Sequence, residues 1–122
     1  MAYLSYIRFD VKDGKRSAFL DAFDKTGMLT RPKSIPGFKW GRLAESFSRS
    51  SGRSINGSMD KPSDQQQAHF IVVAEWASES DYVQWQSVAM PSLSKDLVRE
   101  FLDCLDEPAP GKLYEIRASS HQ

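Results

Sequence analysis

Apolar and polar residues alternate from Tyr3 to Val11, with Ile7, Phe9 and Val11 on one side and Arg8 and Asp10 on the other. That two-residue period predicts a half-buried strand. Lys12-Asp13-Gly14-Lys15 breaks it. From Arg16 to about Thr26, Phe19, Leu20 and Phe23 recur at helical spacing, and Gly27 stands where a left-handed residue would end the helix. Arg31-Pro32-Lys33-Ser34-Ile35-Pro36-Gly37 is a proline-bearing connection. Beyond it Phe38, Trp40 and Arg42 alternate with Lys39, Gly41 and Leu43, predicting a second strand to about Phe47 with the first three on one face.

The stretch 48–68 is polar, rich in Ser, Gly, Arg, Asn, Asp and Gln, with Ile55 and Met59 its sizeable apolar residues. It predicts a long loop, longer than ordinary connections, serving as a hairpin tip or a lid over a site. Phe70-Ile71-Val72-Val73-Ala74-Glu75-Trp76 is the strongest strand signal and, being apolar on both faces, belongs in the middle of a sheet. Ser78 precedes Glu79 and Asp81 as an N-cap precedes an acidic first turn, so a helix carrying Tyr82 and Trp85 starts at Glu79. After Pro91, a second helical stripe runs through Leu93, Leu97, Val98, Phe101, Cys104 and Leu105. A Pro-Gly turn then leads to a last strand, Lys112 to about Ala118, and 119–122 is expected to fray.

The order strand, helix, strand, strand, helix pair, strand is the split βαβ arrangement. It predicts an α+β, ferredoxin-like fold: a four-stranded antiparallel sheet with helices on one face, as one domain over 1–118. Ile71 and Val73 make the uncovered face apolar too, so a homodimer burying sheet against sheet is expected.

Composition narrows the chemistry. With 122 residues, 40% of them hydrophobic, the chain is long enough for one core without disulfides. Its 16 basic and 16 acidic residues cancel, which argues against a polyanion-binding surface and hence against nucleic acid as partner. One cysteine, Cys104, and two histidines, His69 and His121, cannot assemble a zinc site of the usual spacing, so no metal is expected. No apolar run spans a membrane, and Met1 to Arg8 lacks the pattern of a secretory signal. Asn56-Gly57-Ser58 then reads as a turn, and a cytoplasmic protein is expected.

Several of these residues form recognisable runs: Gly14 after the first strand, Ile35-Pro36-Gly37-Phe38 opening the second, Glu75-Trp76-Ala77-Ser78-Glu79 ending the third, then Tyr82 and Trp85. In these the chain resembles the antibiotic biosynthesis monooxygenase family of the dimeric α+β barrel superfamily, over nearly its whole length except 48–68. The resemblance implies a homodimer whose two sheets form a barrel, with a ligand cleft in each subunit between sheet and helices. It also implies a monooxygenase that needs no cofactor and oxidises a phenolic or polycyclic aromatic molecule of the anthrone or quinol kind with O2. A non-oxidative enzyme such as a cyclase or isomerase, or a ligand-binding protein, on the same scaffold is the alternative.

Three branches of the family compare differently. The cofactor-free oxygenases carry an Asn-x-x-x-Trp run on the third strand and a Tyr in the next helix; Trp76 and Tyr82 match, while Val72 stands at the Asn position. In the haem-degrading branch the first-strand Asn falls at Ile7 and the iron-ligating His near Lys95, a poor iron ligand. The quinol branch carries a His where this chain has Ser87-Val88-Ala89-Met90-Pro91.

Oxygenation without a cofactor needs an electron-rich substrate anion, a dry pocket, a proton acceptor and a proton donor for the peroxide. Trp76 is a candidate donor of an indole N–H to bound oxygen, Tyr82 of a phenolic proton to a peroxide, Arg42 a partner for a developing phenolate, and His69 a base near neutrality. Trp85, Val72, Tyr6, Trp40 and Phe38 are candidate substrate-binding residues. Each also has an ordinary packing or surface role, and Cys104 on the apolar stripe is read as structural.

Overall fold

The structure, a computed structural model, describes residues 2–46, 48–49, 59–60, 67–108 and 110–120. Its elements are β1 (Tyr3–Val11), α1 (Arg16–Thr26), a 3-10 turn (Arg31–Ser34), β2 (Phe38–Glu45), β3 (Ser48–Arg49), β4 (Met59–Asp60), β5 (Ala68–Trp76), α2 (Glu79–Ala89), α3 (Lys95–Leu102) and β6 (Lys112–Glu115). The main sheet runs β2-β5-β1-β6 with every pair antiparallel. β5 lies between β1 and β2, as its two apolar faces predict. This is the ferredoxin-like α+β arrangement.

Helix ends follow local chemistry. Gly27 closes α1 in the left-handed conformation at φ 66°. The Ser78 and Ser94 side chains accept from the backbone N–H of Asp81 and Leu97, so α3 starts at Lys95, and Leu93 of the predicted stripe precedes it. The expected loop over 48–68 lies largely outside the described residues, as do Phe47, Ile55, Asn56-Gly57-Ser58 and the tail residues His121 and Gln122. Within it Ser48–Arg49 and Met59–Asp60 pair as a two-stranded ribbon, and Ala68 is already buried strand.

Packing divides into two clusters. In one, Phe9, Phe19, Phe23, Phe70 and Phe101 interlock between the sheet and the α1/α3 layer, with ring centroids 4.7–6.4 Å apart. Cys104 and Leu105 complete it, while Leu93, Leu97 and Val98 are only half-buried. In the other, Ile35, Ala74 and the fully buried Trp76 pack with Phe38, Tyr82, Trp85 and Leu113 beneath α2. No residue of α2 itself is buried. Between the large rings, the sheet presents Ser5, Gly41, Val72 and Ala74 to the helices, side chains too small to fill the gap.

One register detail changes the faces. A bulge between Phe38 and Trp40 sets Phe38 opposite Trp76 but Trp40 opposite Glu75. Phe38 therefore faces the helices, whereas Trp40 and Arg42 lie on the uncovered face, contrary to the simple alternation. There the Trp40 indole donates to Glu75 at 3.2 Å, and the Arg42 guanidinium stacks 5.4 Å from the Trp40 ring.

Candidate functional site

The gap between the two clusters is a cavity of about 330 Å³ between the sheet and α2. Among its described lining residues none is acidic, basic or a histidine. Its walls are aromatic and aliphatic, and its polar atoms come from two pairs.

The first pair lies on the floor. The Trp76 Nε1–H donates to Ser5 Oγ at 2.9 Å, and Ser5 in turn reaches the Ala74 carbonyl at 3.4 Å. Trp76 is 1% exposed, so its N–H is committed to Ser5 and is not the donor to bound oxygen that the sequence suggested. What the floor offers a ligand is the Ser5 oxygen.

The second pair hangs from α2. Gln86, one turn beyond Tyr82 and on the same face, donates its amide to the Tyr82 hydroxyl at 3.1 Å. Acting as acceptor there, the phenol keeps its own proton to give. Burial pushes the Tyr82 phenol above its ordinary value, so it is neutral at physiological pH. Gly111 makes room for it: a Cβ on that residue would stand 3.0 Å from the hydroxyl oxygen. The Trp76 ring lies 5.7 Å from Tyr82 and 5.2 Å from Phe38, both edge-on.

α2 is held over the cavity from both ends. At its start Ser78 Oγ donates to the Asp81 carboxylate at 2.7 Å while accepting from the Asp81 N–H. That carboxylate rests against bare Gly37, where a Cβ would fall 1.8 Å from Asp81 Oδ2. The Gly37 carbonyl accepts from Ala77 N–H at 2.7 Å. Here is the physical reason for the Pro36-Gly37-Phe38 and Trp76-Ala77-Ser78 runs occurring together. At its other end Arg31 donates to the carbonyls of Val88 and Ala89, both at 2.8 Å, and its guanidinium lies 5.1 Å from the Trp85 ring.

Of the nine candidate residues, Tyr6, opposite Val73 on the uncovered face, meets the cavity only along its strand, and Trp76, Tyr82, Trp85, Val72 and Phe38 line it. Arg42, His69 and Trp40 do not. Strand alternation and the bulge set these three on the uncovered face, with Leu4, Ile71 and Val73. His69 there meets Asp10 at 2.6 Å, and Arg8 Nε donates to the same carboxylate oxygen at 2.8 Å. The base and the phenolate partner inferred from sequence are thus not in the cleft, because each differs in strand parity from the residues that are. Ser5, Gln86 and Arg31 were not singled out in the sequence. Gln86 had a signal, its i+4 spacing from Tyr82; Ser5 and Arg31 had none, since their partners are distant in sequence.

No family model matches the sequence, and no curated protein matches it. Solved structures do. A dimeric ferredoxin-like protein from an uncultured marine organism superposes with TM-score 0.68 at 14% identity, covering 99% of this chain and 92% of that one. The chain has a ferredoxin-like α+β fold. SnoaB, a cofactor-independent oxygenase from Streptomyces nogalater, matches with TM-score 0.54 at 15% identity over 97% of this ferredoxin-like chain and 95% of its own. A Bacillus cereus chain provisionally assigned to the antibiotic biosynthesis monooxygenases matches with TM-score 0.60 at 16% identity over 100% and 97%. The structural neighbours thus include the family the sequence resembles, and at these identities the likeness is one of fold. Among the described residues no helix is long and apolar enough to cross a membrane, and no three His, Cys, Asp or Glu cluster as metal ligands would.

Proposed function

We propose that the protein is a cofactor-independent monooxygenase that oxidises a small phenolic or polycyclic aromatic molecule with O2 in the cavity beneath α2. The observation carrying this reading is an apolar, aromatic-walled cavity containing one neutral phenol, Tyr82, oriented by Gln86. A volume of about 330 Å³ suits a flat ligand of about two to three fused rings. The fold shared with an oxygenase agrees with it.

Tyr82 donates to the substrate oxygen, and that bond strengthens as the substrate ionises, so the wall favours the reactive anion. Because the described lining carries no base, the proton leaves to water, and the substrate's own acidity sets the pH dependence. The anion passes an electron to O2, the radical pair joins as a peroxide, and loss of water leaves a carbonyl. A methylene plus O2 thereby becomes a carbonyl plus water. A second copy of the chain covers the face bearing Leu4, Ile71 and Val73, giving a homodimer.

The same lack of a base supports a second reading, a ligand-binding protein or a non-oxidative enzyme using the same cavity. Oxygen uptake with an anthrone in chelator-treated buffer separates the two. The oxygenase consumes one O2 per quinone formed. Conversion at an unchanged rate without oxygen, or binding with no conversion, supports the second reading instead.

A further inference from the structure

We infer that α2 is a lid over the cavity and that Arg31 is its latch, the positioning residue that sets how fast a ligand enters and leaves. The inference rests on the reading of the cavity as a ligand site.

The two ends of α2 are fastened differently. Its start is built into the fold: the Ser78–Asp81 cap sits against Gly37, directly after β5, whose last residue Trp76 is fully buried. No residue along the helix is buried; Tyr82 and Trp85 rest on the edge of the Ile35, Ala74 and Trp76 cluster where it borders the cavity, and exposed Gln86 lies at the cavity rim. At its far end Met90 packs on the phenylalanine cluster, and among the described residues the polar fastening to the α1 side is one side chain. Arg31 spreads its donors over the Val88 and Ala89 carbonyls, the Ser92 hydroxyl and, at 3.0 Å, the carbonyl of Thr26 at the end of α1. One cation thus caps the negative ends of two helices at once and covers Trp85 on the cavity wall.

The base of this latch is rigid. Arg31 opens the 3-10 turn followed by the buried Pro32, and its stem passes over Gly27, where a Cβ would fall 2.9 Å from Arg31 Cδ. Gly27 is needed twice, for its φ of 66° and for that stem. Releasing the guanidinium leaves the carbonyl end of α2 held by the half-buried Met90, without breaking its cap or the sheet, so the helix swings about the Gly37–Asp81 end and opens the cavity beside Trp85.

The test is stopped-flow binding of N-phenyl-1-naphthylamine, a neutral aromatic probe, to the full chain and to Arg31→Met, which keeps the aliphatic stem. A latch predicts that association and dissociation both accelerate, on the order of tenfold, while the dissociation constant moves by less than either rate. Arg31→Lys, keeping the charge but not the fork, falls between. Faster dissociation with association unchanged or slower means Arg31 only supports a wall, and overturns the latch. Hydrogen exchange on the unsubstituted protein decides the matter even where Arg31→Met does not fold. Amides in the last turn of α2 must exchange faster than those of β5, and equal protection overturns the proposal. A probe that fails to bind the unsubstituted protein contradicts the ligand-site reading, and the exchange measurement still decides the latch.

Discussion

Gln86 holds the Tyr82 hydroxyl from one turn further along α2, donating at 3.1 Å and leaving the phenol its own proton to give. Removing the hydroxyl with Tyr82→Phe is expected to lower kcat/KM by roughly ten- to a hundredfold. Gln86→Leu, which keeps the phenol but releases its orientation, is expected to lower kcat by about tenfold with a smaller change in KM. Steady-state oxygen uptake measures both. Equal activity in all three proteins would remove Tyr82 from the chemistry.

Arg42 and His69 make the opposite prediction. Both lie on the uncovered face of the sheet, so Arg42→Ala and His69→Ala are expected to retain turnover within about twofold of the parent. Kinetics at saturating substrate, with the oligomeric state checked by light scattering, decides this. A hundredfold loss in either variant, with association intact, would return that residue to the reaction.

The contrast shows what sequence pattern can carry. The period of two along Tyr3–Val11 and Ala68–Trp76, the stop at Gly27 and the cap at Ser78 are local, and the strands and helices they predict are there. Strand parity after Phe38 is not local: an extra residue in β2 against β5 turned Phe38 toward the cavity and left Trp40 and Arg42 outside. Contacts such as Trp76–Ser5 and Arg31–Ala89 join residues far apart in sequence, and no spacing announces them. Five aromatic or aliphatic residues of the cleft were legible because they sit in recognisable runs. Of its polar partners only Gln86 had a local signal, its spacing from Tyr82.

Gly37 tests the fastening of α2 to the sheet. A methyl group there would fall 1.8 Å from Asp81 Oδ2, so Gly37→Ala must displace the capping carboxylate and is expected to destabilise the fold by about 2 kcal/mol. Urea denaturation gives the value. In an Asp81→Ala background the same substitution should cost less than half as much, and an equal cost in both backgrounds would mean the glycine serves something else.

Asp10 predicts a pH dependence of stability. Burial by itself raises its carboxyl, but the hydrogen bonds from His69 and Arg8 outweigh this and hold it below its ordinary 3.8. A carboxyl lowered in the folded state binds its proton less readily there than in the unfolded chain. The stability it contributes is therefore present above about pH 4 and is lost as pH falls through the lower folded value. Urea midpoints between about pH 5 and pH 3 should fall more steeply for the parent than for Asp10→Asn. Parallel slopes would show that the cluster adds nothing.

The central claim is that an aromatic substrate sits beneath α2, and anaerobic NMR titration with an anthrone addresses it most directly, since without O2 the complex persists. The account predicts saturable shifts of the Gln86 side-chain amide and the Trp85 indole N–H, with the Trp40 indole on the uncovered face unmoved. Shifts confined to Trp40 and His69, with Gln86 and Trp85 silent, would contradict it.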